Sequence, residues 1–296
     1  MTSLPADLHA AAFGDRPDLA VRAVPTDPRE RWLAAVVLGA QGWYARAATL
    51  LDELRRHPDP VLAALAAATL ASHRRQLGGH AEARRHDAAG LASLLRVGDA
   101  RSDAPRGRAD ENRPGSSFGR TGEARADVLL GLAADAVGLG RPGAARRLVA
   151  AVPADAGWRA AIRTGWVRAE TELVAGRPGD AVRHAEPAAE LAAWSGSVRH
   201  RVKSALVLGA ALGANGDRTR AVALVSPALD DAADLGLLTL VWPAAMILTE
   251  LVPTDADRFR RCAALALRSV VHRTDPVGRR LAERSPWVPR LTGPTG

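Results

Sequence analysis

The same three small positions recur five times along this chain. A small residue is followed seven positions on by a Gly, and five positions after that by an Ala. The sets are Ala35, Gly42 and Ala47; Ala71, Gly78 and Ala83; Ala133, Gly140 and Ala145; Ala169, Gly176 and Ala181; and Gly209, Gly216 and Ala221. Helix packing gives the spacing its meaning. A small residue two turns before the end of one helix lets a second helix approach closely. The Gly supplies a left-handed turn, and the Ala lies where the two helices cross. Each unit is a helical hairpin. A hairpin cannot bury its apolar face alone, so successive hairpins must stack.

The glycines Gly42, Gly78, Gly140, Gly176 and Gly216 are separated by 36, 62, 36 and 40 residues. The long step contains GDARSDAPRGRADENRPGSSFGRTG, residues 98–122, rich in Gly, Pro and charge and nearly free of large apolar side chains. Without it the step is close to the others, so it reads as a disordered insertion. Composition agrees with helices throughout. Apolar residues are 47% of the chain but aromatic residues only 4%, which suits close-packed Ala, Leu and Val helices and argues against a β-sandwich or barrel. The single cysteine, Cys262, excludes a disulfide framework and any Cys-built metal cluster, and reads as a buried inert thiol.

Small residue, Gly and Ala at this spacing, with a period of this length, resemble the tetratricopeptide repeat (TPR), and Gly42-Trp43-Tyr44-Ala45-Arg46-Ala47 is the nearest match to that family's turn. The resemblance covers about residues 29–235. It lies in the spacing more than the decoration. The family's early Trp is replaced by Arg31, Ala67, Leu129, Gly165 and Ala205. It implies an all-α chain with no sheet, an α-solenoid of stacked antiparallel hairpins wound as a right-handed superhelix. The organisation expected is N-terminal capping helices over 1–28, two short ones before Pro25; repeats one and two over 29–97; the insertion over 98–122; repeats three to five and a degenerate sixth hairpin over 123–274; and a flexible basic tail over 275–296. In the sixth hairpin Pro253-Thr254-Asp255 makes the turn, Thr254 or Asp255 caps the last helix, and Phe259, Cys262, Leu265 and Val270 face the core.

Several strings imitate catalytic motifs without their setting. Gly138 to Gly143 spells GxGxxG, but a helix precedes it where a dinucleotide site needs a strand, and Gly-Arg-Pro-Gly recurs at 176–179 as a repeat turn. Gly115 to Gly119 spells GxSxG inside the insertion, with no sheet to form a nucleophile elbow. The stretch ending Lys203-Ser204 lacks the second Gly of a phosphate loop and lies within a helix. The histidines do not form a ligand set, and no paired carboxylates stand out. No catalytic residue, cofactor or metal is expected.

In a stacked array the first helices line the concave face, the surface on which partners dock. The resemblance places candidates there by register. Ten residues before each Gly fall Trp32, Ala68, Leu130, Trp166 and Leu206, with Trp242 in the sixth hairpin. Thirteen before fall Arg29, Leu65, Asp127, Arg163 and Lys203; six before fall Val36, Ser72, Ala134, Glu170 and Ala210. The Lys and Asn set with which some TPR proteins hold a C-terminal carboxylate is absent. Arg163, Trp166, Glu170, Lys203 and Trp242 can instead converge, and Trp32 and Arg75 complete the partner-binding candidates. The competing reading is that Trp166 and Trp242 fill space between hairpins.

The expected function is a non-catalytic cytoplasmic scaffold for a protein or peptide partner, with a place in a regulatory system. No signal peptide or membrane span is visible in the sequence. The alternative is a nucleic-acid-associated or transcription-linked role. The net charge is +8, and residues 238–296 carry half of that excess, but spread over the chain it is dilute for a nucleic-acid binder.

Overall fold

The computed structural model describes residues 4–102 and 121–289. Among these residues it is an α-solenoid without strands. Helix α1 (Leu4–Phe13) precedes six hairpins. These are α2 (Pro28–Ala40) with α3 (Tyr44–Leu54), α4 (Pro60–Gln76) with α5 (His80–Ser102), and α6 (Thr121–Gly138) with α7 (Pro142–Ala150). Then come α8 (Gly157–Val174) with α9 (Pro178–Trp194), α10 (Val198–Ala214) with α11 (Arg218–Asp234), and α12 (Leu238–Leu251) with α13 (Ala256–His272). A short α14 (Pro276–Arg284) follows.

The repeated small positions do what their spacing requires. The five turn glycines all lie in the left-handed region, with φ between +68° and +92°. The nine alanines of the pattern are wholly buried between helices. At the one Gly among the small positions, a Cβ on Gly209 would stand 2.2 Å from Val225 Cγ2, so α10 and α11 cross too closely for any side chain. Proline at the first turn of α2, α4, α7, α9 and α14 fits each helix start, where its missing N–H would have no partner anyway.

The array closes on itself. Thr239 Oγ1 on α12 donates to the Ala40 carbonyl at the end of α2, 2.9 Å away, and the Ala45 N–H of α3 donates to the Arg273 carbonyl after α13. Tyr44, Leu77, Leu267, Val270, Ala282 and Val288 form one apolar cluster drawn from both ends of the chain. The Arg273 guanidinium lies 4.0 Å above the Trp43 ring, and Arg74 is paired with Asp275 at 2.6 Å. Burial acts to raise the Asp275 carboxyl, but the Arg74 hydrogen bond and the N–H groups of Gly278 and Val277 hold it below its usual range. Helix α1 bridges the opening from the other side: it packs on α2, and the Gly14 carbonyl accepts from the Val198 N–H at the start of α10.

Several expectations change in consequence. Instead of two N-terminal helices there is one; from Gly14 the chain runs irregularly past Pro17 and Pro25, tied down where Gln41 Nε2 donates to the Pro17 and Leu19 carbonyls and Arg46 to that of Val21. It closes the array rather than capping one end. The segment from 275 is not a loose tail through Pro289. Asp275 caps α14 by accepting from the Val277 and Gly278 N–H groups, and Ala282 and Val288 are buried against the first repeats. The expected insertion starts later, because α5 continues to Ser102, and once nucleated a helix extends at little cost. Its last two residues, 121 and 122, belong to α6, and 103–120 lie outside the described residues, as does 290–296. In the last hairpin Phe259 and Val270 face inward, Cys262 is half-buried, and Leu265 points to solvent, 62% exposed, on the far side of α13. Asp255 stands at the head of α13 without a side-chain cap bond, because the 3-10 turn Pro253–Asp255 leads directly into the helix.

Candidate functional site

Closure narrows the expected open groove to a partly open cavity of about 240 Å³. Its walls come from the first helix of every hairpin, α2, α4, α6, α8, α10 and α12, together with Phe13 from α1; among the described residues no second helix contributes. Eleven of its lining residues stand at the three register positions read from the glycines. Trp32, Ala68, Leu130 and Trp166 line it from ten before each Gly; Asp127, Arg163 and Lys203 from thirteen before; Val36, Ser72, Ala134 and Glu170 from six before.

Of the seven candidates, six reach this cavity. Trp166 is half-buried, donates from Nε1 to Ser204 Oγ at 2.8 Å and stacks on the His200 ring at 5.5 Å. Lys203 Nζ lies 5.9 Å from the Trp166 ring and is paired with Glu170 at 3.2 Å. Arg163 is paired with Asp127. Trp32 is 96% buried and held to α4 by its bond to Thr69 Oγ1, so it forms floor more than contact surface. Arg75 touches the cavity, but its fork is engaged from behind: it binds the buried carboxylates of Asp87 (2.6 Å) and Asp135 (2.7 Å), joining α4, α5 and α6. Trp242 is not in the cavity. It lies half-buried against the two apolar clusters that hold Ala40, Tyr44 and Leu77, while Thr239 and Leu240 line the cavity from the same helix.

Among the lining residues outside that register are two further arginines. Arg159 and Arg199 each stand seventeen residues before a turn Gly, on the first turn or so of α8 and α10, so one more register position would have shown them. With Arg163 they place three guanidinium groups around a single carboxylate, Asp127, which Arg159 binds at 2.9 Å. Burial acts to raise the Asp127 carboxyl, and the two arginines overcome it and hold it ionised below the usual range. Arg199 is pushed down to about 10, first by burial and then by Arg159 and Arg163. Phe13 plugs this corner, with Arg159 4.2 Å and Arg199 5.9 Å from its ring centre. His200 is kept neutral by burial and by the same arginines, and its Nδ1 meets Ser197 Oγ at 2.8 Å.

A second buried imidazole gives a pH dependence. His73 stacks on Tyr44 at 4.7 Å, and its pKa is pushed down to about 3, first by burial and then by Arg74 and Arg199. The unfolded chain binds this proton near pH 6.5 and the folded one does not, so stability is complete above that pH and falls as the pH drops toward 3. Asp87, raised by burial and by Asp135, acts in the opposite sense, so the test is a difference. Between about pH 5.5 and about 4.5, urea unfolding of the wild type is expected to lose about 1.4 kcal/mol per pH unit more than that of His73→Gln. Equal slopes would show that His73 is protonated in the folded protein.

Among the described residues no group of three or more His, Cys, Asp or Glu side chains is placed to hold a metal ion, and no helix is long and apolar enough to cross a membrane. No protein-family model matches the chain, and no curated protein matches it in sequence. Its fold does match solved structures. One of them, described as the crystal structure of Rap protein complexed with Competence and Sporulation Factor, matches with a TM-score of 0.55 at 12% sequence identity, over 86% of this chain and 71% of that one. At that identity the likeness concerns architecture, and the architecture is the TPR-like helical repeat that the glycine spacing resembles.

Proposed function

We propose that this chain is a non-catalytic, cytoplasmic scaffold that binds a segment of a peptide or protein partner in the cavity, within a regulatory system. One observation carries the reading. Six hairpins send their first helices, and only those, to a single cavity where Trp166 offers a ring, and Arg163, Lys203 and Glu170 offer charge. Aromatic and Arg anchors of this kind carry most of the energy in protein recognition. The solved complex of Rap protein with Competence and Sporulation Factor supports it by showing that a chain of similar architecture holds a bound factor. The cavity is smaller than the roughly 300–1,000 Å³ of pockets for drug-sized ligands, so it suits a residue or two of a longer segment. Its carboxylates, Asp127 and Glu170, are each engaged by Arg or Lys, an arrangement for binding rather than proton transfer.

The nucleic-acid reading has less to stand on. At the basic C-terminal end Arg260 is paired with Asp257, Arg273 lies on Trp43, and Arg279 is bound to the Thr274 carbonyl.

Selection of a displayed random peptide library on the wild type and on Trp166→Ala tests the proposal. The wild type is expected to enrich a consistent set of sequences that bind the variant at least about tenfold more weakly, with helix content unchanged. Sequences that bind both proteins equally, or no enrichment, would remove the cavity as the binding site. Loss of helix content in the variant would assign Trp166 to packing between α8 and α10.

A further inference from the structure

The corner of the cavity formed by Arg159, Arg163 and Arg199 is unbalanced in charge and in hydrogen bonds. Asp127 occupies one fork edge of Arg159 and of Arg163, and the Arg159 Nε is buried with no hydrogen-bond partner. The Arg199 side chain forms no hydrogen bond or ion pair among the described residues; it faces the Phe13 ring, is repelled by Arg159 and Arg163, and is attracted by Asp127 from beyond ion-pair distance. A guanidinium presents five donors in a fixed fork, and an unpaired buried donor such as the Arg159 Nε is costly. Elsewhere the cavity's charges are matched: Lys203 by Glu170, and Arg75 by Asp87 and Asp135. The excess is therefore local to one corner, beside the Trp166 and His200 stack, and it is positive.

We infer that this corner is an anion seat, and that the segment taken up by the cavity presents a carboxylate to Arg199 and the free edges of Arg163 and Arg159. The inference rests on the peptide-binding reading above. A planar carboxylate matches the fork of Arg199 and supplies the acceptors that corner lacks, while relieving the repulsion among the three arginines. Burial first, and then the repulsion of Arg159 and Arg163, depress Arg199, and a bound anion would oppose both. The carboxylate can come from an acidic side chain or from a chain terminus, and the ring of Phe13 marks the volume that it or its neighbour takes over.

Isothermal titration with three synthetic hexapeptide pools separates these sources: acetylated and amidated pools with and without Asp and Glu, and a neutral pool with a free C-terminal carboxylate. Succinate, followed by thermal melting, reports on the seat without a peptide. The expected result is that one or both carboxylate-bearing pools bind the wild type, that Arg199→Ala weakens them about 10- to 100-fold, and that Arg199→Lys restores part of the loss. The pool that binds names the source. Added salt is expected to weaken the same pools. If the neutral amidated pool binds as well as the others, and Arg199→Ala binds as the wild type does, the seat is overturned while the cavity remains a peptide site. If succinate stabilises the wild type and not Arg199→Ala while no pool binds, the seat stands and the peptide reading falls. No response to any probe overturns both. Circular dichroism of each variant, with Arg199→Lys as the charge-conserving control, separates loss of binding from loss of fold.

Discussion

Replacing Arg75 by alanine is expected to lower the unfolding free energy by about 3–5 kcal/mol. Arg75 is in contact with two carboxylates, Asp87 and Asp135, whose side chains are 1% and 0% exposed. Removing it leaves buried charge without a partner at the point where α4, α5 and α6 meet. Urea denaturation measures the loss, with the same dependence on denaturant in both proteins. A triple variant, Arg75→Met with Asp87→Asn and Asp135→Asn, is expected to recover most of it, because removing all the charges together removes the need for pairing. A loss below about 1 kcal/mol in Arg75→Ala would show that water reaches this network and that the arginine is free to bind a ligand. As placed, Arg75 is a structural residue that borders the cavity.

Tyr44→Ala is expected to cost a similar amount, about 3–5 kcal/mol, by emptying a fully buried aromatic site. The cavity it leaves lies in the cluster shared with Leu77, Leu267, Val270 and Ala282, and Gln76 Oε1 loses the hydroxyl that donates to it at 2.7 Å. The effect reaches beyond stability. Tyr44 sits where the last hairpin meets the first, so the variant is expected to show a larger radius of gyration in solution scattering and weaker binding of any cavity ligand. A variant that is destabilised yet keeps the wild-type radius would place the closure on the polar contacts instead, the Thr239 bond to Ala40 and the Arg74 pair with Asp275.

The glycine spacing carried the hairpins and the inward register of the first helices because both follow from the period of a single helix pair. Ala71 is buried for the reason Ala169 is: each stands where its own partner helix crosses. The same period put Trp166, Arg163, Glu170 and Lys203 on one surface. It also held Arg159 and Arg199, in a register position left unread. Trp242 broke the pattern because its surroundings are not those of its repeat. Its neighbours Tyr44 and Leu77 lie far away along the chain, and a packing contact between distant segments leaves no periodic mark.

The likeness of Trp32 and Trp166 in sequence shows the same limit. Both stand ten residues before a turn Gly, and both donate from the indole N–H to a hydroxyl on the next first helix, Thr69 or Ser204. One is floor and the other wall, because α1 lays Phe13 against Trp32, 5.7 Å between ring centres, while Trp166 stacks on the His200 ring and stays half-exposed.

What the sequence determined by itself was local and repeated: helix, left-handed Gly turn, helix, with small residues where backbones approach and the first helices turned inward. These depend on contacts between neighbours in the chain, which recur and so can be read. Long-range packing settled that the array closes, that the groove becomes a cavity, that Arg75 is bound by Asp87 and Asp135, and that the Arg199 side chain has no hydrogen bond or ion pair among the described residues. Each of these is settled by groups brought together from separate repeats, and the charge balance of such a place is a property of the assembled interior.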